Sequence, residues 1–156
     1  MADQDRAGLL QRLRDLPGPE RRDLLAAAWR LPLAHISMRL LGLRRSQRLL
    51  GRLSARAGTP PVEKWQRRAV ALRRVGARLP GVHCLSRSLC LWCWMRRSGL
   101  DPELRIGVRR GERGAIESHS WVELDGVPVD ESPDVVAAFR VVDLGELAPG
   151  KRRWRE

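Results

Sequence analysis

Pro80-Gly81-Val82-His83-Cys84-Leu85-Ser86-Arg87-Ser88-Leu89-Cys90-Leu91-Trp92-Cys93-Trp94-Met95-Arg96-Arg97-Ser98-Gly99 is the stretch that decides the fold. It opens on a Pro-Gly break and closes on Ser-Gly, with two arginines in the last turn, where the negative end of a helix dipole favours them. From Cys84 to about Arg97 the apolar residues Leu85, Leu89, Leu91, Trp92, Trp94 and Met95 surround the whole cylinder. A helix without a polar face is a buried helix. The stretch predicts a central helix that other elements must cover, with Cys84 as its first residue.

Upstream, the covering elements read as helices. Leu9, Leu10, Leu13 and Leu16 form a first apolar stripe, stopped by Pro17-Gly18-Pro19. A Leu- and Ala-rich helix is expected from about Glu20 to Leu43, kinked or divided at Pro32. A third is expected over about Arg44 to Arg56. After Gly58-Thr59-Pro60-Pro61, with Thr59 as N-cap, a fourth helix places Trp65, Ala69, Leu72, Val75 and Leu79 on one face. Its arginines 67, 68, 73, 74 and 78 fall largely elsewhere. Leu79-Pro80-Gly81 closes it.

Downstream the period changes from helical to two. Leu104, Ile106 and Val108 alternate with Arg105, Gly107 and Arg109, which predicts a strand. Ile116 to Leu124 predicts a second and Val127 to about Glu131 a third, joined by Asp125-Gly126, a strong hairpin signal. A helical turn over Asp134 to Ala138 and a strand over Phe139 to Asp143 complete the series. Helices followed by an antiparallel sheet mean an α+β fold. The expected organisation is a basic helical subdomain over 1–58, a core over 59–148 and a basic tail over 149–156.

With 156 residues, the chain is long enough to form a core without a metal or disulfide staple. Three cysteines exclude a dense disulfide scaffold. The acidic start Met1-Ala2-Asp3-Gln4-Asp5 precedes no apolar h-region, and no apolar run is long enough to span a bilayer, so a cytoplasmic, reduced protein is expected. Residues 1–83 hold 18 basic and 6 acidic residues, and residues 84–156 hold 12 of each, so the entire excess of +12 lies in the first half. Such a half attracts acidic peptides or other polyanions. No nucleic-acid recognition motif with interleaved aromatics accompanies it, so neither nucleic acid nor membrane is expected as a partner.

Cys84 stands where the unpaired N–H groups and the positive dipole end of a helix point, a setting that favours thiolate over thiol. The same N–H groups can hold an oxyanion. His119 lies on the second predicted strand, in Ser118-His119-Ser120-Trp121-Val122-Glu123, on the same face as Trp121. An acid follows it across the hairpin. A two-residue turn at Asp125-Gly126 pairs Leu124 with Val127 and sets Asp130 diagonally beside His119. A three-residue loop pairs Glu123 with Val127 and sets Glu131 directly opposite. Both registers remain open from sequence. Cys, His and acid in this order meet the needs of nucleophilic acyl transfer.

The motifs from Pro80 to Leu89, Met95 to Leu100, Leu104 to Arg109 and His119 to Gly126 resemble the transglutaminase-like leader peptidases of lasso peptide biosynthesis. These belong to the papain-like and transglutaminase-like cysteine proteases. The resemblance covers about residues 60–143 and extends to the N-terminal helices only in style. It implies a papain/transglutaminase-like core: a buried catalytic helix against a small antiparallel sheet. It implies that Cys84 is the nucleophile, that His119 is the general base and that Asp130 or Glu131 orients the histidine. The implied activity is removal of the leader from a ribosomally made precursor peptide, freeing the core N-terminus for a separate lasso cyclase. No stretch reads as a fused leader-binding domain, so a separate leader-binding protein is implied as partner. His119-Ser120 replaces the family's frequent His-Ala.

Trp121 is a candidate wall of the substrate cleft or, equally, a core residue. Cys90-Leu91-Trp92-Cys93 has redox spacing but falls inside the apolar helix, and Cys84 and Cys93 are too far apart along it to share a zinc ion with His83 and Cys90. No metal or other cofactor is expected. His35 reads as a core or boundary residue; Arg87 and Ser88, one turn into the helix, can contact substrate or hydrogen-bond within the fold, with the structural reading preferred. The alternatives to a peptidase are a catalytically silent binding module that recruits precursor or cyclase, and a different Cys-His acyl transferase or amidase.

Overall fold

The computed structural model describes residue 11 and residues 13–51, 61–111 and 114–142. Among the described residues, the helices α1 (Gly18–Leu41), α2 (Leu43–Gly51), α3 (Val62–Gly76) and α4 (Cys84–Arg97) precede the sheet. The sheet comprises β1 (Glu103–Arg110), β2 (Ile116–Leu124), β3 (Val127–Pro128) and β4 (Arg140–Val141), with the short helix α5 (Pro133–Ala137) before the last strand. The strand order is β3-β2-β1-β4 and every pairing is antiparallel. The fold is α+β, as the change of period implies.

α4 is the buried centre. Leu89, Leu91 and Met95 are at most 1% exposed, and Cys90, Cys93 and Trp94 are buried with them. α1 and α3 cover one side through Ala27, Leu31, Ala34, Trp65, Ala69 and Leu72, and Val122 and Val129 close the core from the sheet. α3 buries the expected stripe, although the helix ends at Gly76 and leaves Leu79 just beyond.

Pro32 does not divide α1, which runs unbroken through it. A proline withdraws the hydrogen bond to the carbonyl four residues earlier. Here that residue is Ala28, which is exposed, so water can satisfy the carbonyl. The third predicted strand is cut to Val127–Pro128. Val129 N–H still donates to Val122 O at 2.9 Å, but Val122 N–H donates to the Asp130 side chain and not to a strand carbonyl, and the ladder ends there. The fourth strand is also shorter than expected. The Leu9 and Leu10 positions, the Thr59 cap, Asp143 and the basic tail lie outside the described residues.

The hairpin uses the two-residue turn. Leu124 pairs with Val127 and Glu123 with Pro128, while Asp125 and Gly126 have φ of 52° and 77°. Positive φ at both positions is the mirror-image turn that matches strand twist.

Candidate active site

Cys84 is the first residue of α4 and is half-buried; Cys90 and Cys93 are buried. Burial pushes the Cys90 thiol well up, and the Cys93 thiol up to about 12, so neither is a ready nucleophile. The N-cap residue, His83, is extended and makes no side-chain hydrogen bond to the helix. The first-turn N–H groups beside the Cys84 sulfur are thus not capped by that side chain. Gly81, at φ 75°, turns the chain into this helix start. Behind the turn, His35 Nδ1 and Ser86 Oγ share a hydrogen bond of 2.9 Å that ties α1 to the first turn of α4.

His119 sits on β2 with its ring partly buried. Its Nε2 lies 3.2 Å from Glu131 Oε1. The carboxylate oxygen lies within ion-pair distance but off the line of a directed hydrogen bond. A small turn of the carboxylate would align it, and such tightening is common when a substrate arrives. The ring is also fixed by aromatic neighbours: Trp121 at 6.3 Å between centroids and 24° between planes, and Phe139 at 5.5 Å and 35°.

Of the two roles the sequence leaves open for Trp121, the structure shows the core one. Its side chain is 0% exposed, and its Nε1 donates to Glu123 Oε1 at 2.7 Å while Arg105 Nε donates to the other carboxylate oxygen at 3.0 Å. The indole is a fixed backing plate for His119. Phe139 carries no such signal in the sequence, because its place depends on a chain return that β4 supplies. Gly107 does carry one. It pairs directly with His119, and a Cβ there would fall 2.7 Å from Phe139 Cβ and 2.8 Å from the Trp121 ring. A glycine within a strand marks such close approach.

The two candidate acids separate cleanly. The two-residue turn is the register expected to favour Asp130, yet Glu131 is the residue against His119. Asp130 instead turns toward α4: its Oδ1 accepts from Val122 N–H at 2.8 Å, and its Oδ2 lies 3.3 Å from Ser88 Oγ. Burial pushes its carboxyl above the usual carboxylate range, opposed by the backbone N–H and the serine hydroxyl that bind it. The side chain stands where a ladder carbonyl would otherwise be, so the chain leaves the sheet at Asp130 and the next residue swings across to the histidine.

Ser88 links the helix to the sheet. Its hydroxyl donates to Ser120 O at 2.9 Å, and Ser120 Oγ is 3.3 Å from it. Cys84 stands one turn before Ser88 on the same side of α4, and Ser120 directly follows His119. The structural role expected of Ser88 is therefore present, and it joins the elements carrying the candidate thiol and imidazole.

No curated protein and no solved structure matches the chain significantly. A family model described as the transglutaminase-like superfamily matches residues 27–143, about three quarters of the chain. That span takes in most of α1, the Cys84 helix, the His119 strand and Glu131, and the chain accordingly belongs to the transglutaminase-like superfamily, a fold consistent with cysteine-protease or acyl-transfer chemistry.

Proposed function

We propose that this protein is a cysteine peptidase that removes the leader from a lasso precursor peptide. The observation that supports it most is the 3.2 Å contact of His119 Nε2 with Glu131, on a strand tied by Ser88 to the helix that Cys84 begins. In this reading the Cys84 thiolate attacks the scissile carbonyl, and the uncapped first-turn N–H groups of α4 hold the oxyanion. His119, having taken the thiol proton, gives it to the leaving amine. Water then cleaves the thioester with His119 as base, releasing the acid and restoring the thiol. Glu131 orients the imidazole and stabilises its charged form. Asp130 has no part in proton transfer. The precursor specificity is carried by the motif resemblance, with a separate leader-binding protein and a lasso cyclase as partners. The excess positive charge of the first half suits an acidic partner or leader.

The test is incubation with the precursor peptide and its leader-binding protein, followed by mass spectrometry. Free leader should appear with the wild-type chain and not with Cys84→Ala. Undiminished cleavage by that variant would reject the assignment. Amine transfer in place of hydrolysis would move the reading to transglutamination.

A further inference from the structure

A second feature lies one turn along α4 from Cys84. A shallow, solvent-open cleft lies between α3, α4 and the segment after β3, and Arg73, Arg87, Ser88, Asp130 and Glu131 line it. Arg73 guards the solvent side, where one nitrogen donates to Asp130 O at 2.7 Å. Arg87 is half-buried, and its guanidinium makes no hydrogen bond or ion pair among the described residues. Its stem is nevertheless held in place. It crosses α3 at Gly76, where a Cβ would fall 3.1 Å from Arg87 Cδ, with Leu31 at 3.5 Å. The helix thus has a glycine where it gives passage to an arginine whose five side-chain donors meet no acceptor among the described residues.

We propose that this cleft is a subsite for a carboxylate side chain of the peptide substrate, gripped by Arg87 with Arg73 at its rim. The substrate being a peptide rests on the peptidase reading; the carboxylate site itself does not. A guanidinium fork matches a carboxylate in two parallel hydrogen bonds. Asp130 is engaged by Val122 N–H and Ser88, and Glu131 faces His119, so neither pairs with Arg87. A singly charged ligand suits the site better than a dianion such as phosphate, because the cost of desolvating an ion grows with the square of its charge while its attraction to the guanidinium grows only in proportion. The placement suits a residue near the scissile bond. Arg87 follows Cys84 by three residues, about 4.5 Å of helix rise, against about 3.3 Å per residue of an extended peptide.

The test uses N-acetyl-glutamate N′-methylamide and its glutamine counterpart, titrated into the isotope-labelled full chain and followed by NMR at the Arg87 and Ser88 signals. The glutamate probe should bind with a Kd of the order of 1 mM, and the glutamine probe at least about tenfold more weakly. Arg87→Gln should lose about tenfold or more, with Arg87→Lys between the two. Should Arg87→Gln not fold, Arg87→Lys carries the comparison, and equal binding by it overturns the proposal. Equal response to both probes, unchanged binding by folded Arg87→Gln, or tighter binding of inorganic phosphate than of the glutamate probe would each overturn it too. Because binding is read without cleavage, a chain that binds the glutamate probe but cleaves equally well as Cys84→Ala would lose the peptidase reading and keep the subsite.

Discussion

Asp130 and Glu131 are adjacent, equally acidic and oppositely directed. Each makes a different prediction. Glu131→Gln should lower turnover roughly 10²-fold, within the range that positioned acid–base groups contribute, and Glu131→Asp should recover part of the loss. Recovery by the shorter acid separates orientation of His119 from mere filling of space, and equal loss in both variants would count against it. Asp130→Asn should leave turnover within a few-fold, because an amide keeps an acceptor for Val122 N–H and can donate to Ser88 Oγ. Loss of turnover confined to Asp130→Asn would reverse the two roles. The Asp130 carboxyl is raised in the folded chain, so its protonated form favours folding below the unfolded value near about 3.9, and that contribution disappears as pH rises through the folded value. Asp130→Asn should therefore gain in melting temperature relative to wild type as pH increases from about 4 to 7, measured by circular dichroism.

β1 and β2 together hold the histidine in place. Gly107 lies opposite His119, and the Trp121 and Phe139 rings fill the space that a side chain there would need. Gly107→Ala should cost about 1–3 kcal/mol, the range for overpacking a well-filled site. Urea unfolding measures the loss, and an unchanged midpoint would mean that the rings are loosely held. Gly126→Ala at the turn should cost about 1–2 kcal/mol for a different reason, a positive φ that a Cβ resists. The first substitution should lower activity beyond its effect on stability, since it displaces the His119 backing. The second should not.

Across the whole molecule, the basic first half is joined to the central helix through charge as well as apolar contact. Asp23 of α1 is 6% exposed and receives Arg67 Nε at 2.7 Å and Arg68 Nε at 3.3 Å from α3. The Arg68 guanidinium sits 4.5 Å from the Trp65 ring centre and 4.2 Å from that of Trp94, so one arginine ties α1, α3 and α4. Burial lowers the Arg68 value, and Asp23 opposes that shift. Removing the acid leaves a desolvated cation without its partner, and Asp23→Ala should cost about 3–5 kcal/mol. Unfolding followed by far-UV circular dichroism and by tryptophan fluorescence should coincide, as expected of one shared core. Two separated transitions would show that the helices before residue 58 fold as their own unit.

Periodicity depends on neighbours along the chain, and for that reason the buried Cys84–Arg97 helix, the Ile116–Leu124 strand and the Asp125-Gly126 turn are legible in the sequence alone. The thiol at a helix start and an imidazole followed by two acids are legible for the same reason. Which acid reaches His119 is not. Strand register alone points to Asp130, but the Asp130 carboxyl replaces a backbone acceptor for Val122 and ends the ladder, which releases Glu131 toward the ring. Likewise Trp121 and Phe139 back the histidine, and Gly76 makes room for Arg87, only because segments distant in sequence converge there. Local chemistry wrote the elements and the reactive residue types; packing between elements chose which side chains meet, since that choice depends on volumes and hydrogen-bond partners no single stretch contains.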